Sequence, residues 1–209
     1  MAAFFGNLRN VVIAGFVLAL LLIGLYCSKQ GFDGHFFELF VLRWLHVVCG
    51  VMWIGLLWYF NFVQIPTMPK VPDELKKGVS GYIAPAALFW FRWAAMGTIV
   101  LGIALAYRNG YLAQAYTLGG YEPGGESFSS GRDIVIGIGM WLGTIMWFNV
   151  WFVIWPNQQK VLNIGGKYSD LPAPDKAAAA KTAMIFSRVN TMLSIPMLFC
   201  MVGAMHLFS

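Results

Sequence analysis

Only three histidines occur in the 209 residues, and two of them, His46 and His206, fall inside long apolar runs. An ionisable side chain in such a run is costly enough to need a reason. Helical spacing stacks Arg43, Gly50, Trp53 and Leu57 near His46. The imidazole is a metal ligand, the glycine one turn below leaves space for a flat ring, the tryptophan supplies an apolar wall and the arginine can pair an acidic substituent. Together these are the parts of a haem b site in a helical bundle. His206, with Gly203 at i−3 and Val202 at i−4, is the candidate second ligand. The expected cofactor-binding residues are therefore His46, Arg43, Gly50, Trp53 and His206, with His46 and His206 on the metal. For either histidine the alternative is an interhelical hydrogen bond or a contact with headgroups.

Other residues suggest other chemistry. Met197, Met201 and Met205 follow one another at i+4 steps with Cys200 and His206 close by, a soft donor set that suits Cu(I). Methionine is also a common filler of irregular packing, and the chain has eleven. Asn61, Asn149, Arg92 and Arg188 gather at the opposite helix ends. They are suited to a quinone headgroup, an anionic substrate or propionates, or equally to interfacial anchoring and helix-to-helix hydrogen bonds. The stripe Ser187, Thr191 and Ser194 reads as interhelical contacts. Cys27, Cys49 and Cys200 form no CxxC or CxxCH, so neither a disulfide framework nor covalently attached haem is implied. No Walker loop and no paired intramembrane carboxylates occur, which removes the footing of primary-pump readings.

The elements that must position these residues are set by composition. With 59% hydrophobic and 11% charged residues and a mean hydropathy of +0.67, the chain carries more apolar surface than one soluble core hides. Five stretches, about 9–27, 39–63, 86–107, 133–155 and 187–208, approach or exceed the roughly 20 apolar residues that a lipid bilayer requires. The expected fold is an all-α integral membrane protein, a single transmembrane domain over 1–209. At about 1.5 Å rise per residue, His46 and His206 differ in depth by only about 5 Å.

The net charge of +5 is sorted by side rather than gathered into a basic stripe, so no nucleic-acid partner is expected. Arg9, Lys70, Lys76, Lys77, Lys160, Lys167, Lys176 and Lys181 lie on one side, against Lys29, Arg108 and Arg132 on the other. The positive-inside rule then places the N-terminus in the cytoplasm and the C-terminus on the opposite face of the membrane. Residues 1–27 have no small-x-small cleavage site and read as an uncleaved first span.

The second and fourth spans are related: residues 52–61 (MWIGLLWYFN) match 140–149 (MWLGTIMWFN) at five of ten positions, and 66–71 (PTMPKV) resembles 156–161 (PNQQKV) after a two-residue slip. Repeats of about 39–108 and 133–208 imply a four-helix bundle of two parallel two-helix repeats plus one N-terminal helix. Gly55 and Gly143 at matching positions are expected to allow close helix approach. Trp53 and Trp141, also repeat-related, are expected to face the interior. Loop 109–132, with Glu122 and Glu126, reads as a connector or a docking surface.

Leu45 to Val48 with Gly50, Trp53 to Gly55 and Tyr59 to Asn61, together with Asn149 to Val161 (NVWFVIWPNQQKV) and Arg188 to Pro196 (RVNTMLSIP), resemble the membrane domain of bacterial urate hydroxylases over about residues 38–208. The His-x-x-x-Gly-x-x-Trp-x-Gly part is also similar to membrane haem proteins such as a protoporphyrinogen oxidase and to copper-resistance permeases. Full-length family members resemble a membrane redox domain followed by a cytochrome c domain, and no CxxCH occurs here up to Ser209. The resemblance therefore implies a membrane oxidoreductase or electron-transfer protein that serves a separate cytochrome c or a larger membrane complex. The alternative is a non-catalytic accessory subunit of a respiratory or other membrane complex.

Overall fold

Runs of leucine, valine, phenylalanine and tryptophan with few helix-breaking residues leave the backbone to satisfy its own hydrogen bonds, and helices result. A computed structural model describes residues 2–120 and 131–207, and among these every regular element is helical. Five helical stretches are long and apolar enough to cross a membrane: Leu8–Lys29, Gly34–Lys70, Asp73–Arg108, Gly131–Leu162 and Ala173–His206. Their principal helices are α1 (Leu8–Gln30), α2 (Gly34–Trp58), α3 (Ala84–Arg108), the short α4 (Leu112–Tyr116), α5 (Gly131–Phe148) and α6 (Ala173–His206).

The chain divides into two compact units, Met1–Val41 and Leu42–Ser209. In the first, the Asn7 side chain caps α1 by accepting from the backbone N–H groups of Arg9 and Asn10, and Gly31, at φ +82°, ends it. That left-handed conformation costs glycine little. In the second, side-chain hydrogen bonds tie each long helix to two neighbours. His46 of α2 reaches α3, and Trp58 Nε1 donates to Ser194 Oγ of α6 at 3.0 Å. Asn149, just past α5, donates to Asn190 Oδ1 of α6 at 2.9 Å, while Trp151 Nε1 donates to the Arg92 carbonyl of α3 at 3.2 Å. Between them lies an apolar core that includes Trp53, Leu57, Phe91, Ala95, Met146 and Val150.

The helices run on past the prolines where the hydropathy pattern ends a span. Tyr59–Gln64 and Asn149–Ile154 are π-helical, and each precedes a proline by two residues, Pro66 and Pro156. Val79–Ile83 does the same before Pro85. Proline lacks an N–H and crowds the carbonyl four residues back. The preceding turn widens instead of breaking, so that Ile65 N–H reaches Phe60 O and Trp155 N–H reaches Val150 O, five residues away. The two π turns preceding Pro66 and Pro156 start 90 residues apart, the same offset as the two prolines, so this irregularity follows the sequence repeat.

Gly55 and Gly143 do not make the close helix approaches expected of them. A Cβ on Gly55 would meet nothing within 4 Å and one on Gly143 only Ile99 at 3.9 Å. Close approach falls on other glycines, chosen by interhelical register rather than by the repeat. A Cβ on Gly97 would lie 2.9 Å from Cys49 Sγ, one on Gly139 2.9 Å from Cys200 Cβ, and one on Gly137 would collide with the Ala115 carbonyl oxygen. That last glycine lets α4 lie on α5, where Trp141 Nε1 donates to the Tyr116 carbonyl at 2.9 Å and the Tyr116 hydroxyl pairs with Thr144 at 3.0 Å. Trp141 is therefore 44% exposed, whereas its repeat mate Trp53 is 1% exposed. Glu122 and Glu126, in the proposed connector, lie outside the described residues.

Candidate functional site: a histidine-bearing cavity

A cavity of about 640 Å³ opens among α2, α3, α5 and α6, within the size range of small-molecule and cofactor sites, about 300–1,000 Å³. Arg43, His46, Gly50 and Trp53 all line it, so the stack read from helical spacing faces one space. Gly55 and Gly143 line it too, and their missing side chains leave volume to the cavity. Most of the remaining wall is apolar, with Met140, Met197, Met201 and Met205 supplying thioethers from α5 and α6.

His46 is held by α3. Its Nδ1 lies 2.8 Å from the Thr98 carbonyl oxygen. A carbonyl only accepts, so Nδ1 carries the proton, and in the neutral ring Nε2 keeps its lone pair. Donation from one ring nitrogen to a backbone carbonyl is how metal-ligating histidines are oriented. Gly102 makes room for the ring: a Cβ there would sit 2.9 Å from His46 Cε1 and 3.1 Å from Nδ1. The Thr98 hydroxyl is occupied by the Ala94 carbonyl at 2.8 Å, which leaves the Thr98 carbonyl as the histidine's anchor. Among the described residues His46 makes no second hydrogen bond. Trp53 Nε1 is likewise buried without an acceptor.

One end of the cavity is polar. Arg43 at the start of the stack, Arg132 in the first turn of α5, and Tyr111 between α3 and α4 all line it. Burial raises the Tyr111 phenol above its ordinary range; the positive charges of Arg43 and Arg132 counter that, and the Asp133 carboxylate adds to it. Arg132 also reaches Met205 Sδ at 3.6 Å.

His206 is placed differently. It is the last residue of α6, exposed, and absent from the cavity wall, while Met205 beside it lines the wall. Cys200 is buried against Gly139. Among the described residues no three His, Cys, Asp or Glu side chains sit together as a metal cluster. At the far end of the helices, Asn149 and Asn190 form a buried pair that also ties to the Met146 carbonyl, and Asn61 donates to Ser187 Oγ at 2.8 Å. Arg92 stacks on Trp155, Cζ 3.7 Å from the ring centroid, whereas Arg188 is exposed. The far-end polar residues thus include interhelical contacts and a stacked cation. In the α6 stripe Ser194 accepts from Trp58 of α2 and Ser187 from Asn61 just past it, as expected, whereas the Thr191 hydroxyl bonds the Ser187 carbonyl of its own helix. Thr98, Gly102, Tyr111, Tyr116 and Arg132 belong to the cavity but carry no local sequence signal, since their roles depend on how neighbouring helices align.

The class of protein these features define is an all-helical one with five potential membrane-crossing helices and a histidine-bearing apolar cavity. A protein-family model described as urate oxidase, N-terminal, matches residues 124–208. That segment is similar to the urate oxidase N-terminal family; it carries Arg132, Met140 and the α6 wall, whereas Arg43 and His46 lie before it. No curated protein and no solved structure matches the chain.

Proposed function

We propose that this protein is a redox protein of a bacterial inner membrane, resembling the urate hydroxylase membrane domain, that binds haem b in the cavity beside His46 and exchanges electrons with a cytochrome c or a larger membrane complex. The observation that carries this reading is the His46 ring: its Nδ1 proton is fixed on the Thr98 carbonyl and its Nε2 lone pair is left for a metal at the wall of a cofactor-sized apolar space. The residues present fit the group. His46 would supply the ligand, Gly50, Gly55 and Gly143 would leave room for a planar body, Trp53 would wall it, and Arg43 would pair an acidic substituent. When bound, haem supplies one-electron transfer. The chain's own part is to fix the imidazole tautomer, exclude water with an apolar wall and neutralise acidic substituents.

The proposed setting is a bundle of two parallel two-helix repeats plus α1, with the N-terminus cytoplasmic and the C-terminus periplasmic. The matching π turns and the charge sorting along the sequence support it. The cavity then lies in the outer half of the bundle. Because His206 is exposed at the end of α6, His46 is the ligand on which the reading stands. A pyridine haemochrome assay of the purified protein tests it: stoichiometric haem b, lost in His46→Ala, is the expected result, and absence of haem or indifference to His46→Ala rejects it.

The methionine wall favours a second reading, copper handling, because thioethers and one imidazole suit Cu(I). Metal analysis separates the two: copper in place of iron, falling in Met201→Leu and Met205→Leu, would select it.

A further inference from the structure

Among the described residues, no carboxylate pairs with either of the two guanidinium groups at the polar end of the cavity, Arg43 and Arg132. The ion pair Lys76–Asp73 lies far along the chain from Arg43 and Arg132. The hydrogen bond shown for Arg132 goes to a thioether, a weak acceptor. The Tyr111 hydroxyl adds a donor within electrostatic reach of both arginines, with Asp133 the nearby opposing charge. These three side chains come from α2, from the turn after α3 and from the first turn of α5, and all three border the same cavity. Three separate elements thus bring donors and positive charge to one edge of an otherwise apolar space.

An apolar body placed beside His46 and Trp53 would present its near edge to this rim. Paired guanidiniums recognise carboxylates through forked, charge-assisted hydrogen bonds. We infer that Arg43, Arg132 and Tyr111 form an acid-recognising rim, so that the cavity selects a flat amphipathic acid with its carboxylates at one edge, whether or not that molecule carries a metal. The inference deepens the haem reading and rests on it for the shape of the ligand. It differs in what does the selecting: the rim acts on the acid groups, and His46 acts on the metal.

Metal-free protoporphyrin IX and its dimethyl ester separate these roles, because the two share a ring and differ only in the carboxylates. Each is titrated, by its fluorescence, into ligand-stripped protein in zwitterionic lipid nanodiscs, with empty nanodiscs as the baseline. The wild type should bind the free acid at least tenfold more tightly than the ester, since charge-assisted hydrogen bonds are the stronger class. The Arg43→Gln/Arg132→Gln variant should bind both alike, Arg43→Lys/Arg132→Lys should keep part of the preference, and high salt should reduce it because both arginines are exposed. His46→Ala should leave the preference intact. Equal binding of acid and ester by the wild type, a preference that survives in the double glutamine variant, or no binding of either compound overturns the inference. Failure of the haem reading looks different: iron and His46 then make no difference to affinity, while the dependence on Arg43 and Arg132 stays.

Discussion

Replacing Gly102 by alanine probes the support of His46 without touching the histidine. The added Cβ would lie 2.9 Å from His46 Cε1, and an ordinary contact begins at 3.4 Å, so the ring must retreat by at least 3.4 − 2.9 = 0.5 Å. A retreat of that size directly away from Thr98 O would lengthen the 2.8 Å bond to about 3.3 Å, past the range of good N–H···O bonds, about 2.7–3.2 Å. Two terms oppose each other in stability. Alanine is intrinsically better than glycine in a helix by about 1 kcal/mol, whereas overpacking a fitted interface costs about 1–3 kcal/mol. The net expectation is no gain or a loss of up to about 2 kcal/mol. Gly55→Ala is the control, since a Cβ there meets nothing within 4 Å and only the gain of up to about 1 kcal/mol remains. Thermal unfolding in detergent reads stability, and ¹⁵N-histidine NMR reads whether the His46 proton stays on Nδ1. In the proposed haem site, metal affinity should fall by about 10–100-fold, the usual cost of losing an orienting contact. If Gly102→Ala stabilises as Gly55→Ala does and leaves the Nδ1–H signal unchanged, the supporting role of Gly102 is wrong.

Asn190→Ala removes a side chain that is 0% exposed and strands the Asn149 amide. It should cost about 1–3 kcal/mol, and a cycle with Asn149→Ala should show strong non-additivity in chemical denaturation. In Gly137→Ala the new Cβ meets the Ala115 backbone, which cannot swing aside as a side chain does, so α4 should leave α5 and protease cleavage between residues 109 and 120 should rise. Tyr111 titrates above its ordinary range, so the folded state holds its proton more tightly than the unfolded state does. Its contribution to stability is then complete below the ordinary phenol pKa, about 10, and is lost as pH rises through the folded value. Unfolding measured from pH 8 to 11 should show a steeper alkaline loss for wild type than for Tyr111→Phe.

The stack of Arg43, His46, Gly50 and Trp53 was legible in the sequence because steps of three and four along one helix fix a shared face whatever packs against it. His206 shows the limit of that argument. Its depth followed from counting residues, but its direction depended on the rotation of α6, and at about 100° per residue the neighbouring Met205 takes the wall position. Trp141 has the same lesson, because repeat symmetry assigned it an interior place that α4 turned into a hydrogen-bonded surface one. The five apolar stretches were equally plain, yet their ends were not. Hydropathy falls at Pro66, Pro85 and Pro156, while the backbone continues through a widened turn at each. Thr98, Gly102 and Arg132 gain their roles only across helix pairs, and no periodicity within one helix encodes them.

In the proposed site, His46 Nε2 faces a metal-containing planar group. A side-chain-resolution map of the protein purified from its own membrane addresses it most directly. Planar density in the cavity, centred on a metal bonded to His46 Nε2 and with its acidic edge toward Arg43, is the predicted result. A cavity filled by a lipid tail or by packed side chains, with the imidazole bonded only to protein, would contradict it.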